Sequence, residues 1–120
     1  MPHDVKKSAW DAVAACQSIR AATAGLDFEA YDNTELVRLA TERAFEILGE
    51  ALKRAGEADP SFKDRFPEMR TSVDMRNRIA HGYDAVDNET VWNTASKDIP
   101  PLEAKLRAWL DAQTHGELRI

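Results

Sequence analysis

The chain is poor in the residues that staple or interrupt a fold. It holds one cysteine, Cys16, with five prolines and five glycines among 120 residues. A lone cysteine excludes an internal disulfide, and with His3, His81 and His115 scattered along the chain it offers no zinc-ligand set. No apolar run approaches the roughly 18 residues that a membrane span requires. The stretch from Met1 to Trp10 has no apolar signal region, so the sequence reads as cytoplasmic. An excess of positive charge is also missing. Lys and Arg number 16 against 21 Asp and Glu, a net charge of −5, which argues against a protein that coats nucleic acid nonspecifically. A small local basic site remains compatible with that balance. Strand-type alternation, internal repeats and low-complexity segments are absent as well.

What the chain does contain is helical periodicity. Apolar residues make up 43% of it, enough for one small core, and its length fits one domain spanning 1–120. Val5, Ala9, Ala12, Val13, Cys16, Ile19 and Ala22 recur at three- and four-residue steps and predict a first helix that stops at Gly25. Leu26 to Asn33 has no strong period and reads as a loop. Asp32 and Glu35 fit a capping box that opens a second helix, carrying Leu36, Leu39, Ala44, Phe45, Leu48 and Leu52 and ending at Gly56. Asp59-Pro60-Ser61 and Phe66-Pro67 punctuate a short connection with room for one helical turn. A third helix is predicted from Pro67 to near Gly82, and Asp87-Asn88 opens a fourth segment. Pro100-Pro101 should break or kink that segment before Leu102, Leu106, Trp109 and Leu110 resume the period. The fold class predicted is all-α, an antiparallel bundle of four to five helices. Trp92 and Trp109 fall on apolar faces and read as core, whereas Trp10 fits either core or interface.

The octad Arg76-Asn77-Arg78-Ile79-Ala80-His81-Gly82-Tyr83 concentrates the chemistry. It offers a fixed cationic fork, a group that titrates near neutrality and a modifiable hydroxyl, which together can handle phosphate. On a helical wheel Arg76 falls amid Met69, Ser72, Val73, Ile79, Ala80 and Tyr83, while Asn77 and His81 form a neighbouring stripe. An arginine on an apolar face is costly unless paired. Three readings stand: an ion pair with Glu46 or Glu50, a cleft or interface that binds an anion, or a local irregularity of the helix. Arg76 and His81 are about 140° apart on an ideal helix. They converge on one phosphate only if Arg76 reaches sideways, the helix loosens near Gly82, or a second copy of the chain completes the site.

In the form Arg, four residues, His, one residue, Tyr, this octad resembles the HepT-like ribonucleases of the HEPN superfamily, the toxin halves of bacterial toxin–antitoxin pairs. Glu46-Ile47-Leu48-Gly49-Glu50 resembles that family's second-helix hallmark. Phe66-Pro67 before Met75-Arg76-Asn77, then Val86-Asp87, Val91-Trp92 and Asp98-Ile99-Pro100 follow in the family's order. Two departures accompany the likeness. Asp84-Ala85 follow Tyr83 where many relatives carry an aromatic and a glycine, and Asp74 and Asp87 bring acid near the octad. The resemblance implies an all-helical homodimer and a metal-independent RNA endonuclease without a cofactor, part of a type II/VII-like pair. It implies that Arg76 and His81 are the ribonuclease residues, at a cleft on the dimer interface. A minimal nucleotidyltransferase antitoxin would transfer AMP from ATP to Tyr83. Asn77 and Arg78 are candidates for orienting the substrate, and Glu46 and Glu50 for supporting the site. The competing reading is a non-catalytic helical module that binds and supports a nucleotidyltransferase.

Overall fold

The computed structural model describes residues 2–80 and 87–118. Every regular element among the described residues is helical. Four long helices, α1 (Pro2–Thr23), α3 (Glu35–Ala58), α5 (Met69–Ala80) and α7 (Ile99–Leu118), are linked by the short helices α2 (Phe28–Asn33), α4 (Pro60–Arg65) and α6 (Asn88–Asn93) and by a π-helical turn at Thr94–Asp98. Helix α1 packs on α3 and on α7, and α5 rests chiefly on α3.

The core follows from the apolar spacing. Ala9, Ala12, Val13, Cys16 and Ile19 of α1 meet Ala44, Phe45, Leu48 and Leu52 of α3, with Leu102, Leu106 and Leu110 of α7 closing the other side. Small residues on α1 let the helices approach closely, and Leu and Phe fill what remains. Burial pushes the Cys16 thiol up to about 12, with Glu103 adding to the effect, so it stays protonated and inert at neutral pH. Helix α1 stops where the sequence predicts. Gly25 takes φ +74°, a left-handed conformation that side chains resist, and Leu26 N–H donates back to Thr23 O at 3.1 Å.

Four local details depart from the sequence expectation. The segment read as a loop from Leu26 to Asn33 contains α2, capped by Asp27, whose carboxylate accepts from Ala30 N–H at 2.9 Å. Its Tyr31 is fully buried and tilts against Trp92 at 5.4 Å. The expected Asp32–Glu35 capping box does not form. Asp32 belongs to the last turn of α2, and Thr34 is the N-cap of α3 without a side-chain cap bond. Helix α3 runs through Gly56 to Ala58, where Asp59 ends it and caps α4 through Ser61 N–H. At Pro100-Pro101 the helical run neither stops nor starts afresh. Ile99 N–H donates to Thr94 O, five residues back, and the wider turn places both N–H-lacking prolines in the first turn of α7.

One ion cluster ties the chain's first and last helices. Glu103 of α7, its side chain only 7% exposed, accepts from Arg20 Nε at 2.6 Å and Nη2 at 3.0 Å, and from Arg107 Nε at 3.0 Å. The hydrogen bonds from Arg20 hold this carboxyl below the usual carboxylate range. Trp109 packs edge-on to Phe62 at 5.3 Å, which fastens α4 to α7, so both Trp92 and Trp109 serve packing as the sequence indicates.

Helices α3 and α5 approach closely at Gly49. A Cβ placed on Gly49 would lie 2.4 Å from Arg76 Cβ, 2.8 Å from Arg76 Cγ and 3.1 Å from Ser72 O. No side chain fits there without moving α5. Helix propensity alone would make Gly49→Ala stabilising by up to about 1 kcal/mol. Overpacking decides the sign instead. Gly49→Ala is expected to destabilise the protein by about 1–3 kcal/mol in chemical denaturation, and a gain in stability would show that α5 is not seated there.

Candidate functional site

Arg76 sits at the edge of α5's buried face rather than at its centre. The buried side of that helix is formed by Ser72 and Met75, with Ile79 partly buried beside them. Met75 was not part of the apolar side read from the sequence. Gly49 lets the stem of Arg76 lie directly on α3, and the guanidinium then reaches along that helix, its side chain 29% exposed.

Two groups hold it. Arg76 Nη2 meets Glu50 Oε2 at 3.3 Å, and Nη1 donates to Asn77 Oδ1 at 2.9 Å. Glu50 is shared, because its other oxygen accepts from Arg54 Nε at 3.2 Å. Glu46 does not reach Arg76 in this arrangement and faces Arg43 at 3.5 Å. The ion-pair reading of Arg76 therefore holds for Glu50. Arg76 also lines a groove of about 490 Å³ between α1 and α3. Arg43, Arg54, Glu46 and Glu50 form its charged walls, and Ala14 and Ala15 of α1 contribute small apolar patches. The sequence places Arg43 and Arg54 on one flank of α3 without giving them a role in the site. Their spacing, 43 to 47 to 54 along one stripe of α3, was the available signal.

Arg78 is exposed and has no ion pair with another described residue, in keeping with its place on the far side of α5 from Arg76. His81 and Tyr83 lie outside the described residues. Among the described residues no cluster of His, Cys, Asp or Glu could hold a metal ion, and no helix is long and apolar enough to cross a membrane.

Chemically the groove presents a guanidinium held by an internal carboxylate. A guanidinium has five N–H donors, and only two described contacts engage this one, both on its terminal nitrogens. Glu50 is 37% exposed and divides its charge between two arginines. A phosphate oxygen entering the groove could replace it at Arg76 while Glu50 keeps Arg54, a direct exchange of one oxyanion for another.

Comparison with known proteins places the chain in a family. A protein of Thermococcus cleftensis named "Probable ribonuclease HepT" is 34% identical over 97 residues, covering 79% of this chain and 86% of its own. Two proteins of Methanocaldococcus jannaschii, each named provisionally as an RNase, are 28% identical over 102 residues and 27% identical over 105 residues. These two alignments cover 83% and 86% of this chain and 85% and 94% of the relatives. No solved structure matches the chain significantly. The family described as "Ribonuclease HepT-like" matches residues 13–109, a span that includes the whole of α3, α5 and the octad, and the chain belongs to that family.

Proposed function

We propose that this protein is a metal-independent RNA endonuclease, the toxin of a toxin–antitoxin pair, with Arg76 and His81 as its catalytic residues. The observation that carries this reading is the seat of Arg76. A guanidinium is held at the wall of an open groove by a close helix contact, one shared carboxylate and one amide, and is left with spare donors. Membership of the HepT-like family supplies the reaction class.

The chemistry balances with these two groups alone. The ribose 2′-oxygen attacks the adjacent phosphorus as His81 takes its proton. The P–O5′ bond then breaks, and the departing 5′-oxygen gains a proton from the imidazolium. Arg76 grips the non-bridging oxygens and offsets the charge that builds on them. Asn77 acts through Arg76, because its side-chain oxygen fixes one terminal nitrogen of the guanidinium. Arg78 lies outside this contact, exposed on the far side of α5, and would meet RNA only beyond the Arg76 groove. Glu50 supports the site by holding Arg76 in the absence of substrate, and Glu46 supports it indirectly through Arg43.

Homodimer formation fits the outer surface of the described residues. Trp10, Leu36, Leu39 and Ile47 are large apolar side chains left 43–79% exposed. Leu36, Leu39 and Ile47 share a stripe of α3 with Arg43, Glu50 and Arg54, so a second copy covering this stripe would roof the Arg76 groove. The partner antitoxin in this reading is a minimal nucleotidyltransferase that adds AMP to Tyr83. Phosphate so placed would compete with substrate for Arg76 and His81 by charge and by occupancy.

The Arg76–Glu50 pair also favours a second reading, a non-catalytic module that supports a nucleotidyltransferase, because a satisfied arginine has a structural role of its own. RNA digestion separates the two. The purified protein should cleave single-stranded RNA in the presence of EDTA, and His81→Ala should abolish both cleavage and toxicity while leaving thermal unfolding unchanged. A variant as active as the parent would overturn the assignment. The parent should elute at twice the 13.4 kDa chain mass, and Ile47→Asp should shift it toward the monomer. A monomeric parent would leave the apolar stripe without its proposed cover. Incubation with the partner nucleotidyltransferase and ATP should raise the mass by whole AMP units, and Tyr83→Phe should prevent the gain. An undiminished gain in that variant would place the modification elsewhere.

A further inference from the structure

A second groove, of about 500 Å³, is lined by residues of α3, α4 and α5. Lys53 of α3, Lys63 of α4 and Arg70 of α5 converge on it from three helices. All three are exposed, and none makes an ion pair with another described residue. The contrast with the Arg76 groove is direct, since Arg43, Arg54 and Arg76 are each already paired there. Glu57 and Asp74 stand in the second groove without pairing to its cations, so the local balance is positive on a chain whose net charge is −5. Its walls also carry two apolar surfaces, Pro67 and Val73.

We infer that this groove is a subsite for the RNA strand beside the cleavage point, in which Lys53, Lys63 and Arg70 hold a backbone phosphate and Pro67 and Val73 back the attached nucleotide. The inference rests on the ribonuclease reading and deepens it. Register supports the connection. Arg70, Asp74 and Asn77 share one stripe of α5. Arg70 precedes Arg76 by six residues, about 9 Å along the helix axis, a distance that an extended strand bridges within a few nucleotides. Unpaired cations suit a backbone phosphate because binding it breaks no internal salt bridge and releases condensed counterions. An apolar backing beside them matches single-stranded recognition, where a splayed nucleotide rests on a side-chain platform.

The test is the paired variant Lys63→Gln, Arg70→Gln. Neither residue belongs to the catalytic pair, and both are exposed, so folding should be preserved. Binding of a 2′-O-methylated single-stranded RNA, which lacks the attacking hydroxyl, should weaken about tenfold near 0.1 M salt. The slope of log affinity against log salt should fall in magnitude by about 0.7, the value for one lost single-strand phosphate contact. Cleavage of long RNA should show a raised KM, while cleavage of a dinucleotide, which is too short to reach the groove, should match the parent. Equal losses on both substrates would mark the residues as structural and overturn the inference. Unchanged RNA binding together with weakened capture of the nucleotidyltransferase would reassign the groove to an acidic protein partner. A parent that cleaves RNA alongside an unaffected double variant removes the subsite alone. A parent that neither binds nor cleaves RNA removes the ribonuclease reading and the subsite with it.

Discussion

The site depends on one steric constraint, the missing side chain at Gly49. Helix α5 approaches α3 so closely that Arg76 Cβ occupies the space a Cβ at 49 would need. That contact sets the height of Arg76 on α3, and the height determines which carboxylate the guanidinium can reach. Glu50 follows Gly49 directly, so the residue that admits the arginine stem and the residue that receives its head are chain neighbours. A helix normally loses stability at an internal glycine. Here the loss is offset by the packing that only a glycine allows.

Two carboxylates in this fold each serve two arginines, with different results. Glu103 is almost fully enclosed, bound at 2.6 Å by Arg20 and at 3.0 Å by Arg107, and its acidity is strengthened accordingly. It joins α1 to α7 and has no reason to exchange partners. Glu50 is more exposed, its two contacts are longer at 3.2 and 3.3 Å, and one of them holds the arginine with spare donors. The same chemistry is structural where water is excluded and exchangeable where water and ligand can enter.

Much of the architecture was legible in the sequence, because helical periodicity is a strong local signal. The faces of α1 and α3, the stop at Gly25 and the packing roles of Trp92 and Trp109 followed from spacing alone. Helix α2 was not legible. Its six residues are too few to display a period, and its Tyr31 is buried by contacts distant in sequence, Trp92 among them. Of the break or kink expected at Pro100-Pro101, the break is absent because a π-turn lets prolines enter a continuing helical run, and only the Ile99–Thr94 bond reveals it. At the site, the octad drew attention to Arg76, but choosing Glu50 over Glu46 required the register of α5 on α3. His81 and Tyr83 lie outside the described residues, so their roles rest on the octad and the family. The cations of the second groove gather from three helices, and no linear pattern announces such a cluster.

Helix α5 has one principal neighbour among the described residues, whereas α1 and α3 are each held by several elements. Its attachment is therefore a single seam. Free energy for holding α5 comes chiefly from that seam, with Met75 its buried link to the interior, so partial detachment can precede loss of the remaining bundle. An enzyme arm fastened in this way can adapt its tilt to a bulky polymer or a docking protein, and substitutions on its outward flank can accumulate with little penalty to the body that carries it.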